Sequence, residues 1–505
     1  MYPAPTPISY LTCPCPVLPD IAKTTDMEET AYQAPGSVLI IGSGVFGLST
    51  AWALTKRPEF ASTTITVLDR SPEPGVFPAR DAASVDSSRI VRTDYANPAY
   101  AALAAEAAVH WRQTGDDELG GQGRYSRSGL LLGANDGPLV RPDGAATGIA
   151  YAKKSWVNAM ALGQTQGYPL ASIRMVAGRR NVARMSGTGG GFADWAYLNE
   201  NSGWADAEAA MQWTYERVVK TGRVTFVNGT AERLETDAEG KRVTGAKLKD
   251  GSVLSADLVI LAAGAWTSSL VDLSSQVVAT GQAMAYLELT EEEQKKLQNM
   301  PVMLNLSDGL FIIPPKNRVL KIGRHSYGYL NPTPVPAPLG GAKGSADGPE
   351  SNGDTFSPPA VTISQPFTHL DDPTLAIPPE GEEDLRRGLK SMIPWPELQD
   401  RQFSRTRLCW YTDTATGDWI IDYHPRFHGL FVATGGSGHG FKFLPVLGEK
   451  IAGCIMGVYP KEFKDKWRWK TDSNAGKAVV REDGSRGGKP GLILRDVLRR
   501  GESEK

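Results

Sequence analysis

A glycine-rich turn near the start of the chain has the residue types and spacing that bind a pyrophosphate. Its residues follow the pattern G-x-G-x-x-G and are Gly42, Ser43, Gly44, Val45, Phe46 and Gly47. Glycine permits the tight turn and the close approach of the backbone to phosphate, and a helix that begins here offers unpaired N–H groups. Asp69 follows at a distance of about 20 residues, where an acid binds a ribose hydroxyl. The pattern predicts a dinucleotide site for FAD or NAD rather than NADP, with a glycine-rich turn of another α/β protein as the alternative.

Two arginines, Arg89 and Arg92, lie three positions apart in a segment of small residues. If this segment is helical, both side chains share one face. The pair is then either a solvated basic face or a pair of cations near a flavin or an anionic substrate. The spacing alone leaves both interpretations open.

Two further turns of small residues follow apolar, strand-like runs. Ala262–Trp266 follows the run Leu258–Leu261, and a glycine-rich turn at residues 435–440 follows a run that begins at Leu430. The first of these turns lets the backbone pass close to a cofactor bound at the glycine-rich turn described above. The second precedes a predicted helix from Leu444, so it predicts a second turn that binds an anion or a ring.

The elements that must position these turns read as strands of a parallel sheet. Val38–Ile41, Thr64–Leu68 and Leu258–Leu261 are short apolar runs, as expected for buried parallel strands. Leu48–Lys56 has helical composition and follows the first strand directly. The sequence therefore predicts an α/β fold in which the nucleotide-binding part returns to the same sheet after a long excursion.

Composition argues against several other classes of protein. The 505 residues carry a net charge of -2, with Lys and Arg scattered, which argues against a nucleic-acid partner. No apolar run reaches the roughly 20 residues that span a bilayer, so we expect no membrane partner. The four cysteines are Cys13, Cys15, Cys409 and Cys454, which are too few for a disulfide scaffold. Cys13 and Cys15 have no cluster of further metal-ligating residues near them, so we expect no metal site. We expect a cytoplasmic protein; a peroxisomal one is the alternative, although the C-terminus is not of the S-K-L type.

Several motifs along the chain resemble, in the same order, those of FAD-dependent amine oxidases of the monomeric sarcosine oxidase type. That family includes fungal fructosyl amino acid oxidases, saccharopine oxidases and pipecolate oxidases. Besides the first glycine-rich turn, the motifs are Ser88–Arg92, Ala262–Trp266, Leu320–His325, Cys409–Thr412 and Gly435–Phe443. The resemblance covers residues 37–457, which is most of the chain.

On the flavin side, the resemblance implies roles for three residues. Cys409 matches the cysteine that forms a thioether with the flavin 8-methyl group, so FAD is expected to be covalently bound. Lys321 matches the lysine that lies over the flavin and promotes its reaction with oxygen. Arg89 matches a flavin-adjacent position that is arginine in sarcosine oxidases and lysine in fructosyl amino acid oxidases.

On the substrate side, the resemblance implies an ionic clamp for a carboxylate. Lys442 matches a carboxylate-binding lysine, and Arg92 matches the arginine that joins it. His325 and Tyr411 match further residues next to the substrate and complete the catalytic set with Lys321 and Arg89. The full set of expected cofactor-binding residues is Gly42, Ser43, Gly44, Val45, Phe46, Gly47, Asp69, Ser88, Arg89, Ala263, Gly264, Trp266, Cys409, Gly436, Gly438, Gly440, Phe441 and Lys442.

The implied reaction is oxidation of a C–N bond to an imine by hydride transfer to flavin N5, with reduction of O2 to H2O2. The implied substrate is a secondary amine or an N-substituted or cyclic amino acid, and the implied oligomeric state is a monomer. One alternative is a flavin dehydrogenase of the same fold that passes electrons to a protein acceptor. The other is a dinucleotide-binding protein without catalytic activity.

The expected architecture is an α/β fold with a discontinuous, Rossmann-like FAD-binding domain and a second, mixed α+β substrate domain. The FAD-binding domain comprises residues 36–92, 192–275 and 405–460. The substrate domain comprises residues 93–191 and 276–404, with a flexible insertion at 331–359. Residues 1–35 are expected to be a disordered extension, and residues 461–505 a C-terminal tail.

Overall fold

The computed structural model describes residues 32–273, 276–341, 360–470 and 481–503, with side chains described as far as Arg499. Most of the expected extension, residues 342–359 of the expected insertion and residues 471–480 of the expected tail lie outside the described residues. From Ala34 onward the described chain belongs to one compact unit. None of the described helices is long and apolar enough to cross a membrane.

The described residues contain strands and helices in alternation along the chain. The strands are β1 Ser37–Ile41, β2 Thr64–Asp69, β3 Arg89–Val91, β4 Tyr125–Ser126, β5 Leu130–Ala134, β6 Ile173–Ala177, β7 Trp195–Asn199, β8 Gly203–Ala205, β9 Val224–Asn228, β10 Ala231–Thr236, β11 Val243–Leu248, β12 Val253–Ser255, β13 Leu258–Leu261, β14 Val277–Glu288, β15 Val302–Asn305, β16 Leu310–Lys316, β17 Val319–Arg324, β18 Tyr329–Leu330, β19 Pro332–Pro336, β20 Ala360–Ser364, β21 Arg405–Thr414, β22 Ile420–Tyr423, β23 Leu430–Thr434 and β24 Leu492–Ile493. The α-helices are α1 Val45–Lys56, α2 Pro98–Trp111, α3 Gly148–Thr165, α4 Arg179–Ser186, α5 Ala207–Lys220, α6 Glu291–Leu297, α7 Pro379–Met392, α8 Pro396–Gln399, α9 Leu444–Ile455 and α10 Leu494–Ser503.

One sheet carries all the turns that the sequence assigns to the cofactor. Its order is β22-β23-β13-β1-β2-β9, and β1 pairs in parallel with both β2 and β13. The apolar residues of β1 are buried, as expected for the centre of a parallel sheet. The carboxyl ends of β1, β2, β13 and β23 meet at one edge, which is where α/β sheets bind ligands. The predicted parallel sheet and its return after a long excursion are confirmed.

A larger sheet of ten strands carries the side chains with chemistry. Its path is β24-β18-β14-β17-β16-β15-β5-β7-β6, and β21 pairs with β14 along ten residues. Lys321 lies on β17, and Cys409 and Tyr411 lie on β21. The sequence placed β7 and β21 in the FAD-binding domain, whereas both strands pair within this larger sheet. The segment that begins at Arg405 lies in the larger sheet, and not in the nucleotide-binding sheet, because β21 pairs with β14 along ten residues.

Two local expectations are corrected by the structure. Arg89 lies on a strand, β3, that pairs with β8, so Arg89 and Arg92 do not share a helical face. The part of the expected flexible insertion at Pro332–Pro336 is a strand that pairs with Ala360–Ser364. In both cases pairing with a distant strand decides the backbone conformation, and local spacing does not report it.

Candidate active site

A cavity of about 950 Å³ opens at the carboxyl edge of the six-stranded sheet. Its walls include the turn after β1, the end of β2, the turn after β13, the second glycine-rich turn and Tyr411. The expected cofactor-binding residues that line it are Gly42, Gly44, Val45, Phe46, Asp69, Arg89, Ala263, Gly264, Trp266, Gly436, Gly438, Gly440 and Phe441. The expected cofactor-binding residues that do not line it are Ser43, Gly47, Ser88, Cys409 and Lys442.

The first glycine-rich turn is tight enough to exclude any side chain at two of its glycines. Gly42 has a φ of 103°, and a Cβ atom there would lie 2.5 Å from the carbonyl oxygen of Ala262. A Cβ atom on Gly47 would lie 1.8 Å from the carbonyl oxygen of Gly42. Helix α1 therefore begins in close contact with the end of β1, which directs its N-terminus at the cavity.

Asp69 supports this turn from the neighbouring strand. Its carboxylate accepts hydrogen bonds from the Ser43 N–H, at 2.9 Å, and from the Ser43 hydroxyl. It also accepts from the Arg70 N–H at 2.7 Å. Ser43 therefore ties the turn to the end of β2 through its hydrogen bonds with Asp69. Asp69 lines the cavity, and its expected role in binding a ribose stays a prediction.

A buried carboxylate, Asp86, organises the catalytic residues expected on the flavin side. Lys321 Nζ lies 2.7 Å from Asp86 Oδ2 and donates to the Ser88 carbonyl oxygen at 2.7 Å. Arg89 Nη1 lies 3.2 Å from the same Oδ2, and the Tyr286 hydroxyl donates to Oδ1 at 2.7 Å. Asp86 was not predicted as a site residue, and its position three residues before Arg89 is the only sequence signal that points to it.

The charges of this network shift one another's protonation. Burial on its own raises the pKa of Asp86, but Lys321, Arg89 and Arg407 together hold the pKa of that carboxyl well below its ordinary value. Burial, and then the nearby Arg89, lowers the pKa of Lys321 from 10.5 to about 7. Lys321 therefore loses its positive charge as pH rises through about 7. It lies on β17, where it is paired in register with Tyr286 of β14.

Arg89 connects this network to Cys409 and to the cavity. Its Nη2 donates to the Cys409 sulfur at 3.2 Å and to the Ala83 carbonyl oxygen at 2.7 Å. Cys409 is fully buried and is a free cysteine. Arg89 is thus the contact between Cys409 and the cavity, because Arg89 lines the cavity and Cys409 does not. The structure thus brings together Lys321, Arg89 and Cys409, and the flavin-side roles that the resemblance implies for them stay a prediction.

A second group of buried cations lies around Lys442. Its Nζ donates to the Tyr95 hydroxyl at 2.9 Å and to the His439 carbonyl oxygen at 2.8 Å. Burial, and then the charge of Arg92, lowers the pKa of Lys442 well below 10.5. The guanidinium of Arg92 lies 4.8 Å from the centre of the Tyr95 ring, and its buried Nη1 has no hydrogen-bond partner among the described residues. The charge of Arg92 therefore acts on Lys442, and the expected role of the two residues as a carboxylate clamp stays a prediction.

His325 and Tyr411 complete the set, and a residue near the C-terminus joins them. Their ring centres are 5.8 Å apart, and burial raises the pKa of Tyr411 to about 12. Arg486 lies 2.8 Å from His325 Nδ1 and stacks over the Tyr411 ring at 5.0 Å. The sequence predicts only a charged C-terminal tail at residues 461–505, and no motif in that segment indicates that Arg486 belongs to the site.

Comparison with known proteins identifies the family. The family described as FAD dependent oxidoreductase (DAO) matches residues 37–453. The chain belongs to this family. It is 32% identical to the amino acid oxidase imqH of Aspergillus flavus, over 84% of this chain and 93% of that protein. It is 30% identical to the L-saccharopine oxidase of Schizosaccharomyces pombe, over 87% of this chain and 94% of that protein.

A solved structure agrees with these relatives. The modified fructosyl peptide oxidase from Aspergillus nidulans in complex with FSA is 26% identical and superposes with a TM-score of 0.73, over 92% of this chain and 99% of that chain. The expected resemblance to amine oxidases that include fructosyl amino acid and saccharopine oxidases is confirmed.

The residues of this FAD-dependent oxidoreductase fit the cofactor that the family requires. The volume of the cavity lies within the range of about 300–1,000 Å³ typical of small-molecule and cofactor sites. Glycines at 42 and 44 line it, where the backbone must approach a pyrophosphate. Tyr411, Arg89 and the turn at Gly436–Gly440 also line it, and Arg89 connects the cavity to Lys321 through Asp86.

Proposed function

We propose that this chain is an FAD-dependent oxidase of small amino acids whose nitrogen is a secondary amine or part of a ring. In the reaction, the substrate loses two electrons and two protons as its C–N bond becomes an imine, and O2 gains them to become H2O2. The observation that carries the proposal is the pair of buried cations, Arg92 and Lys442. Burial and Arg92 both lower the pKa of Lys442, and a substrate carboxylate between the two residues would offset this penalty.

The clamp would orient the substrate as well as bind it. A carboxylate held by Arg92 and Lys442 fixes the adjacent carbon, and fixed orientation of reacting groups is a large part of enzymatic acceleration. Bound FAD would supply the hydride acceptor, which is chemistry that no side chain provides. Tyr411 lines the cavity and has a raised pKa, so it stays protonated and can donate a hydrogen bond to the substrate.

Lys321 is proposed to act in the second half of the reaction. It is buried, and its Nζ is held by Asp86 and the Ser88 carbonyl oxygen. A fixed cation in a water-excluded site stabilises negative charge that develops as O2 takes up electrons. Arg89, which shares Asp86 with Lys321, adds a second positive charge and orients Cys409.

Cys409 is proposed to attach the flavin covalently by a thioether to its 8-methyl group. The sulfur lies beside Arg89, which itself lines the cavity. Fluorescence of acid-soaked denaturing gels tests this: the parent band should be fluorescent and the Cys409→Ala band dark. A dark parent band with yellow colour in the supernatant would mean non-covalent FAD.

The proposed organisation has a nucleotide-binding part around the six-stranded sheet and a substrate part around the ten-stranded sheet. The proposed partners are a small-molecule amine and O2, and the proposed state is a monomer. The protein is proposed to work in the cytoplasm.

The decisive experiment for substrate class compares acids with their esters. Peroxide release is measured with N-methyl, N-carboxyalkyl, glycated and cyclic amino acids, and for the best substrate also with its methyl ester. Loss of the carboxylate should lower kcat/KM by about a hundredfold, as for a buried hydrogen-bonded charge pair that loses one partner. Lys442→Met should lower kcat/KM for the acid by a similar factor and leave kcat/KM for the ester almost unchanged. Equal rates for acid and ester would reject the clamp.

A further inference from the structure

The chain returns to the active site near its C-terminus, at residues 481–493. The Ala146 N–H donates to the Glu482 carbonyl oxygen at 2.9 Å, and the Tyr327 N–H donates to that of Gly487 at 3.2 Å. Two residues of β24 then pair in parallel with β18 of the large sheet. A Cβ atom on Gly487 would lie 2.2 Å from the Asp308 carbonyl carbon, so the segment passes in direct contact with the body of the protein.

Arg486 is the residue of this segment that reaches the expected catalytic set. It is buried, and its Nη2 donates to Asp413 and to the Ser437 carbonyl oxygen, the latter at 3.0 Å. Its Nη1 lies 2.8 Å from His325 Nδ1. A guanidinium carries only donors, so the imidazole Nδ1 must be the acceptor in this contact.

This contact decides where His325 carries its proton. A neutral imidazole that accepts at Nδ1 is protonated at Nε2. The charged and titratable groups that face His325 are those on the surrounding elements: Arg486, Arg92, Arg481, His439 and Tyr411. Burial, followed by the charges of Arg486, Arg92 and Arg481, lowers the pKa of His325 well below 6.5, so the ring stays neutral.

The Nε2 atom of His325 is left for a ligand. Among the described residues, no hydrogen bond of the protein engages this atom, whereas Nδ1 is occupied by Arg486. An N–H group in this position can donate to an oxygen of the substrate, and it has no lone pair with which to accept a proton from an amine.

We infer that Arg486 is a positioning residue that fixes His325 as the Nε2–H tautomer, so that His325 donates a hydrogen bond to an acceptor oxygen of the substrate and does not act as a base. The inference rests on the proposed oxidase function for its effect on turnover, but the tautomer itself can be observed without turnover. It makes residues 481–487 part of the catalytic site, where the sequence predicted only a tail.

The experiment is ¹⁵N NMR of the holoenzyme labelled at histidine, with the His325 signals assigned by a His325→Gln variant. In the parent, Nδ1 of His325 should have the shift of an unprotonated nitrogen and Nε2 that of an N–H, and both should stay constant from neutral pH to mildly acidic pH. In Arg486→Met the tautomers should mix, and the ring should begin to titrate at higher pH because one cation has gone. Arg486→Lys, which keeps a cationic donor, should restore the parent spectrum.

Kinetics of the same variants measure the consequence. Arg486→Met should lower kcat/KM by about tenfold, as expected for one hydrogen bond to a charged group, and Arg486→Lys should recover most of it. Lys489→Met is the matched control, because it also replaces a cation by methionine, at an exposed position just after the segment. This control should keep the parent spectrum and the parent kcat/KM.

Two results would overturn the inference. One is a parent spectrum with the proton on Nδ1; the other is an Arg486→Met spectrum identical to that of the parent. A protein that shows the Nε2–H signature but oxidises no amine in the panel would reject the proposed function and retain the tautomer assignment. The two failures are therefore distinguishable.

Discussion

Replacing Lys321 by methionine should slow the reaction with O2 far more than the reaction with the amine. Methionine keeps an unbranched apolar stem of similar length and removes the charge. The side chain is only 2% exposed, so no water molecule from bulk solvent takes the place of the ammonium group directly. The substitution removes two 2.7 Å interactions, one with Asp86 and one with the Ser88 carbonyl oxygen.

The expected magnitude follows from this geometry. A preorganised donor aimed at developing negative charge in a buried site is worth about 3–4 kcal/mol, or a factor of about 10²–10³. Breaking a buried ion pair by removing one partner costs about 3–5 kcal/mol of folding stability. Here the cost should be smaller, because Arg89 Nη1 also lies 3.2 Å from Asp86 Oδ2 and keeps that carboxylate paired. The variant should therefore fold and retain flavin.

Stopped-flow absorbance separates the two half-reactions. Bleaching of the flavin under anaerobic conditions reports the amine step, and recovery of colour after mixing with O2 reports the oxygen step. Lys321→Met should lower the rate of the oxygen step by a factor of about 10²–10³ and the rate of the amine step by less than about tenfold. Lys442→Met is the matched control, since it removes another buried ammonium and should slow only the amine step.

A Lys321→Met variant that recovers its colour with O2 at a rate close to that of the parent would refute the role of Lys321 in the oxygen step. Slowing of both half-reactions by the same factor would also refute it, because a general structural defect would then explain the loss. Flavin content and circular dichroism of both variants exclude simple unfolding.

Three further predictions follow from other contacts. The rate of the oxygen step should fall as pH rises through about 7. Burial lowers the pKa of Lys321 to about 7, so its ammonium group loses its proton in that range. Stopped-flow rates measured against pH check this prediction, and a flat profile would contradict it. Gly47→Ala should abolish flavin binding or soluble expression, because its Cβ would lie 1.8 Å from the Gly42 carbonyl oxygen; a yellow, fully loaded variant would refute the packing argument. Glu293→Gln should lower the free energy of unfolding at neutral pH by roughly 1 kcal/mol, because the hydrogen bond from Arg401 lowers the pKa of Glu293 from 4.5 to about 2 and solvent screening leaves only part of that shift as stability. That stabilisation is present above about pH 4.5 and is lost as pH falls toward 2, so urea unfolding of parent and variant should converge at low pH.

The nucleotide-binding part of the fold could be predicted because its signals are local. The apolar run of β1 and the spacing of its following glycines encode the strand, the turn and the start of α1 within some twenty positions. Gly42 needs a positive φ and Gly47 needs the absence of a Cβ atom, and only glycine satisfies both requirements. The pattern is therefore readable in a single sequence.

The remaining features depend on contacts between distant parts of the chain. Arg89 is extended because its strand pairs with Gly203–Ala205, over a hundred residues later, and spacing within 86–95 contains no trace of this partner. Asp86 has a role only because Lys321 and Tyr286 are brought to it by the large sheet.

The C-terminal contribution was the least predictable part of the site. Residues 481–487 are charged and rich in glycine, which by composition favours an exposed tail. Arg486 is nevertheless buried, because Asp413 and the Ser437 carbonyl oxygen satisfy its charge and its donors. Burial of a charged residue depends on such partners, and these partners are not adjacent in sequence.

Oxidation of an amine through FAD, with transfer of the electrons to O2, can be observed directly in a single experiment. The yellow holoenzyme is mixed with an amino acid from the panel without oxygen, then a known amount of O2 is admitted and peroxide is quantified. The amine should bleach the flavin, O2 should restore its colour, and one H2O2 should form for each amine oxidised. A flavin that no amine in the panel bleaches, or one that stays bleached in O2 without forming peroxide, would contradict the proposed oxidase function.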